Sequence, residues 1–291
     1  ALFRLEASCS TSSRTTSMKV ILHILPPSLT EMNLFYAAYG FSLCLGLLCV
    51  LFVSVWSSYW RGGFAWDGSF LQFNWHPVLM VSGLVVLYGS AAIVFRVPST
   101  WKHRKYIWKL VHGGLMFLAL LLSVLGLCAV FDFHKAFYIP DLYSVHSWVG
   151  LMTVVIFSFQ WVLGLAGFLF PCTPLWFRST IKPFHMWLGK AILILSLTSC
   201  ISGINEKLLL TLTGELYSSL PAEAKFVNFL GVLIVTFGMV IFGILSYKKW
   251  QRPETNEAVH VSMNATITSY PVLLNEIIIC IIILLITASA Q

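Results

Sequence analysis

The chain has 291 residues, of which 58% are hydrophobic and 10% charged, with a mean hydropathy of +0.85. Soluble domains carry roughly 25% charged residues, so this composition lacks the polar surface that would keep it in water and excludes a soluble globule. A formal net charge of +7 would suggest nucleic acid in a soluble protein, but here the cations cluster between apolar runs and read as a membrane topology signal.

Residues 1–31 mix Ser, Thr and a few cations, with a weak apolar patch at Val20–Leu25 followed by a double proline. No uninterrupted signal-peptide core is present, and a disordered leader or an isoform extension is expected there. Six runs long enough to cross about 30 Å of hydrocarbon as helices follow. They lie at about 34–58, closed by Trp56, Tyr59 and Trp60; 76–95, ended by Arg96 and Pro98; 109–131; 142–169, broken by Pro171 and Pro174; 183–204; and 225–246. The short connection FDFHKAFYIPD after the third run is expected to be a loop carrying His134, and 205–224 a second loop carrying Glu206 and Lys207.

Arg96, Lys102, Arg104, Lys105, Lys109, Arg178, Lys182, Lys248, Lys249 and Arg252 fall on one face, against Arg61, Lys135, Lys207 and Lys225 on the other. That bias puts the first face in the cytosol, and an even number of spans puts both termini there. The expected architecture is an all-α polytopic membrane protein, with a transmembrane domain at 32–252 and a cytosolic tail at 253–291. The apolar run Ile277–Ile286 is too short to span. Asn264-Ala-Thr has the form of a glycosylation site, but a cytosolic tail never meets the lumenal enzyme. The seven cysteines, at 9, 44, 49, 128, 172, 200 and 280, form no CxxC and are expected to be buried small hydrophobes.

Four histidines organise the apolar runs: His76, His112, His146 and His185. Alternating span direction brings His76 and His146 to one face and His112 and His185 to the other. Intramembrane ionisable groups are costly enough to be functional candidates. A haem needs two imidazoles on opposite sides of its plane, so two bis-histidine b haems are compatible with one central four-helix bundle. Zinc prefers three or four clustered ligands, which the split pairs do not offer. A proton relay with Glu206 and plain interhelical hydrogen bonding are the other readings. Gly113, Gly114, Gly150, Gly164, Gly167 and Gly189 would let flat rings approach helix backbones, or simply let helices pack closely.

Lys105 and Lys109 precede His112 by seven and three residues, on about the same helical face. With Arg96 and Arg178 they suit carboxylates, either haem propionates or an anionic reductant. On the other face Trp66, Asp67, Asn74, His134, Tyr143, Ser144 and Glu206 offer hydrogen bonds and oxygen ligands of the kind a ferric ion favours.

The stretches WRGGFAWDGS, FNWHPVLM, LYSVHSW, IKPFH and ISGINEKL, spread over about 40–252, resemble the cytochrome b561 family, and most closely its lysosomal branch. The resemblance implies a homodimer with two bis-histidine b haems per subunit, carrying electrons from cytosolic ascorbate to a lumenal acceptor. That acceptor is ferric iron or monodehydroascorbate. It further implies that His76 and His146 ligate the lumenal haem and His112 and His185 the cytosolic one. Arg96 and Lys105 then lie around the cytosolic haem, and Asp141, Leu142, Tyr143, Ser144 and Glu206 around the lumenal one. Lys109 and Arg178 match residues linked with ascorbate, and His134 one linked with ferric iron. Tyr270-Pro-Val-Leu with Leu274 has the form of a sorting signal suited to late endosomes and lysosomes.

Overall fold

Ser28 starts the first helix with a capping box: its hydroxyl accepts from the Glu31 amide at 3.2 Å, and its own amide donates to the Glu31 carboxylate at 3.0 Å. The computed structural model describes residues 28–212 and 214–253. The leader up to residue 27, the Asn264 motif, the sorting signal and the terminal apolar run lie outside the described residues. Residues 29–31, expected to belong to the leader, are helical because of that cap.

Six helices are long and apolar enough to cross a membrane: α1 Leu29–Trp60, α2 Gln72–Arg96, α3 Lys105–Phe137, α4 Val145–Leu169, α5 Leu175–Thr211 and α6 Ala222–Ser246. No strand occurs among the described residues. The number of spans is the expected one, but most helices run further. Hydropathy marks only the hydrocarbon-crossing part, whereas the backbone ladder continues through the interface, where polar side chains are tolerated. Three local expectations are corrected on that ground. His134 sits in the last turn of α3, not in a loop. Arg178 and Lys182 lie in the first turns of α5, which carries Pro183 inside it instead of starting there. Glu206 and Lys207 belong to the last turns of α5.

Chain ends of helices follow from local chemistry. Tyr138 closes α3 in a left-handed conformation at φ 54°, and Ser144 caps α4 by accepting from the Ser147 amide at 3.3 Å. Prolines 171 and 174 separate α4 from α5, with Pro174 preceding the first turn.

Helices α2 and α3 form one antiparallel hairpin and α4 and α5 another, and the two hairpins meet through α3 against α4 and α2 against α5. This is the central four-helix bundle, with α1 and α6 paired along its flank. Close approach is bought with small residues: Gly83 of α2 leaves room for the Ala119 carbonyl of α3, where a methyl would stand 2.9 Å away. The fully buried Phe237 of α6 wedges between Gly46 of α1 and Gly89 of α2. Leu47, Phe117, Phe159, Val232 and Met239 point outward and are exposed, as lipid-facing side chains should be. Cysteines 44, 128 and 172 are exposed as well, correcting the expectation of burial, which holds for Cys49. Positions 44 and 128 face outward from spanning helices, where an apolar thiol meets no penalty from lipid.

The two ends of the molecule are tied differently. At the end carrying the 96–109 stretch, here the basic end, Lys249 pairs with Glu31. Arg96 donates to the Leu245 and Tyr247 carbonyls at 2.5 and 3.2 Å, and Arg252 to those of Trp101 and His103 at 3.3 and 2.9 Å. At the opposite end the largely buried Glu223 of α6 accepts from Arg61 and, at 2.7 Å, from the Trp56 indole.

Candidate functional site

At the basic end His112 comes from α3 and His185 from α5. Their rings face each other across the bundle with centroids 6.4 Å apart and planes 73° apart. His112 donates Nδ1–H to the Ala91 carbonyl at 2.9 Å. Phe95 packs on its ring at 5.6 Å, and Phe168 on that of His185 at 5.1 Å. Gln160 donates to the His185 carbonyl at 2.6 Å, fixing the α5 main chain there. Gly164 lies against the His185 ring, where a methyl would stand 3.0 Å from Cε1, closer than ordinary contact. Around this pair Lys109 donates to the Phe168 carbonyl at 3.0 Å and Arg178 to that of Phe170 at 2.7 Å. Both cations are thereby held over the C-terminal turns of α4.

At the opposite end His76 of α2 and His146 of α4 stand 6.0 Å apart with rings at 89°. Again the inner nitrogens are spoken for, His76 Nδ1–H by the Gly126 carbonyl at 3.0 Å and His146 Nδ1–H by that of Ser199 at 2.8 Å. Gly203 of α5 sits directly behind the His146 ring. Beyond this pair His134 donates to the Asp141 carboxylate at 2.9 Å. Tyr143 stands beside Glu206; burial first, then that carboxylate, pushes its hydroxyl up to about 12. Phe131, Asp132, His134, Lys135, Tyr138, Ile139, Pro140 and Asp141 line an open cleft of about 660 Å³.

The residues fit a haem at either pair. Imidazole nitrogens sit about 2 Å from a first-row metal, so two in line across one ion put ring centroids roughly 6 Å apart, as both pairs do. A main-chain carbonyl on Nδ1 fixes the tautomer and leaves Nε2 as the ligating lone pair; three of the four histidines have one. Among the described residues no three of His, Cys, Asp and Glu come together as a metal cluster.

The structure thus brings together most of the expected residues, with some in other roles. Arg96 is bound to carbonyls at the end of α6. Lys105 opens α3 two turns before His112. Ser144 caps α4, and Leu142 turns the chain at φ 55°. Asn74, expected to offer hydrogen bonds to a ligand, donates to the carbonyls of Arg61 and Gly63 at 2.9 and 2.6 Å and so holds its own loop. Asp67 likewise serves its loop, where the Ser69 hydroxyl and amide hold its carboxyl below the usual range. Of the glycines singled out, Gly164 meets a histidine ring, whereas nothing approaches Gly114. Sequence reasoning missed Gly203, Gln160 and Lys207. The signal was there: 199, 203 and 207 repeat every four residues along one face of α5, once the helix is allowed to continue to Thr211.

Residues 75–211 match the family model described as eukaryotic cytochrome b561. A lysosomal membrane ascorbate-dependent ferrireductase of Danio rerio is 54% identical over 228 residues, covering 77% of this chain and 92% of the relative. The human protein of that name is 52% identical over 212 residues, 72% of this chain and 88% of the relative. A plasma membrane ascorbate-dependent reductase of Xenopus laevis is 43% identical over 212 residues, 73% and 75% of the two chains.

Proposed function

The chain belongs to the cytochrome b561 family, and on that premise we propose that it is a multi-pass lysosomal membrane oxidoreductase carrying electrons from ascorbate to ferric iron. Ascorbate is used at the basic end, which faces the cytosol, and iron is reduced at the other. The single observation that carries this reading is the matched geometry of the two histidine pairs, one near each end of the bundle. When bound, b haem supplies a reversible one-electron centre at each pair.

His112 and His185 would hold the group at the basic end, with Arg96 and Lys105 around it. His76 and His146 would hold the other, with Asp141, Leu142, Tyr143, Ser144 and Glu206 around it. Lys109 and Arg178, tethered to the end of α4, receive the ascorbate anion and fix its orientation by charge-assisted hydrogen bonds. His134, Asp132 and Asp141 line the open cleft where a ferric chelate arrives; hard oxygen ligands beside an imidazole suit that ion. The apolar packing of Phe95, Phe168 and Phe73 against the histidines keeps water from the pairs. Residues 32–252 form the transmembrane unit, both termini are cytosolic, and the working form is a homodimer.

A reduced-minus-oxidised spectrum of detergent-purified protein, with haem quantified per chain, tests the reading. Two b haems are expected, reducible by ascorbate and reoxidised by a ferric chelate. His185→Leu should remove one component and His76→Leu the other. Protein expressed with ample haem that carries none, or either variant leaving the spectrum intact, sinks the assignment.

A further inference from the structure

Lys207 has no task in the reading above, although it lies inside the bundle. Its ammonium rests 3.9 Å from the centroid of the Phe73 ring, and Phe73 packs on His76 at 5.9 Å. It shares the α5 face of Ser199 and Gly203, the two residues that seat the His146 ring. Glu223 reaches Lys207 only through space, opposed by the charge of Arg61, and hydrogen-bonds Arg61 and Trp56 instead, while Glu206 stands beside Tyr143. Among the described residues none of the ion pairs includes Lys207. An ammonium turned in from solvent against the end of the bundle loses hydration that a cation–π contact returns only in part. The position therefore calls for an anion.

We propose that Lys207 is a positioning residue that binds a propionate carboxylate of the group held by His76 and His146 and raises that group's reduction potential. The inference rests on the haem reading. A cofactor carboxylate is the better match than one on the ferric chelate, because Lys207 sits one turn beyond Gly203, against the Phe73 that packs on His76, and does not line the open cleft. A fixed positive charge favours whichever redox state carries more electrons. At roughly 10 Å and an effective dielectric near 20 the preference is about tenfold, or about 59 mV for a one-electron couple.

The test is a spectroelectrochemical titration of the purified holoprotein, without substrate, for wild type, Lys207→Gln and Lys207→Arg. Lys207→Gln should lower one of two midpoints by about that tenfold step and leave the other in place. Lys207→Arg should restore it. Equal midpoints in wild type and Lys207→Gln overturn the proposal, as does an unchanged titration with a raised KM for an anionic ferric chelate alone, which would assign the ammonium to substrate. Loss of both haems in Lys207→Gln and Lys207→Arg alike also overturns it, since only folding would then depend on the residue. A wild type without haem defeats the parent reading instead, so the two failures are distinguishable.

Discussion

Replacing Gly203 by Ala puts a methyl into the space that the His146 ring occupies. The added carbon would lie 2.5 Å from Cε1, 2.8 Å from Nδ1 and 3.1 Å from Nε2, where ordinary contact begins near 3.4 Å. The ring must give way by about 0.9 Å, and a shift of that size would also strain or break its 2.8 Å bond to the Ser199 carbonyl. Overpacking of this kind costs about 1–3 kcal/mol and loss of that hydrogen bond about 0.5–1.5, so binding at this pair should weaken by about 10-fold to 2,000-fold. Gly164→Ala is the graded comparison: its methyl meets His185 Cε1 at 3.0 Å with the ring nitrogens at 3.7 and 3.8 Å, and a few tenths of an ångström relieve it. Gly114→Ala points into open space and should be neutral or slightly stabilising. Haem per chain and the two midpoint potentials of the purified variants give the readout. Full occupancy with unaltered potentials in Gly203→Ala, or equal damage from Gly114→Ala, refutes the reasoning.

Arg61→Ala should cost about 3–5 kcal/mol in detergent unfolding, because it strands the largely buried Glu223 carboxylate; the double variant Arg61→Leu/Glu223→Leu should recover most of that loss. A single variant as stable as wild type would contradict this. Lys109→Glu should raise the KM for ascorbate about tenfold or more while sparing haem content, and unchanged ascorbate kinetics remove it from the docking site. Tyr143, about half exposed, should stay a neutral phenol until the pH approaches about 12, so the stability linked to its raised value is fully present below pH ~10 and is lost progressively as the pH rises through about 12. An alkaline absorbance titration of wild type against Tyr143→Phe checks it, and a phenolate appearing near pH 10 in the difference speaks against it.

The histidine pairing was legible before any coordinates because span direction alternates, and alternation needs only correct counting of apolar runs. What hydropathy hid was the interfacial ends. Cutting the fifth run at 204 left Lys207 in a loop, when the helix carries it one turn beyond Gly203 onto the histidine-facing side. Similarly, FDFHKAFYIPD looks like a turn because of its charges, yet the α3 ladder runs through His134 and breaks only where Tyr138 goes left-handed. The π-helical turns at 81–87 and 165–169 left no mark in composition. They shift the side-chain register of α2 and α4, which a fixed 3.6-residue period cannot anticipate.

The carbonyls that hold the histidines come from hairpin partners. His76 of α2 is held by Gly126 of α3, His112 of α3 by Ala91 of α2, and His146 of α4 by Ser199 of α5. Each facing pair, however, takes one histidine from each hairpin. Orientation of a ligand is therefore an internal matter of each half of the bundle, while the separation between ligands is a matter of the seam. Tyr88, Lys109 and Trp161 reach across that seam with single hydrogen bonds to the Gly189, Phe168 and Gly113 carbonyls. On the haem reading, each cofactor acts as a rivet through two pre-shaped plates. Haem supply then sets how firmly the halves are joined and how far they resist protease and heat, without altering the shape of either.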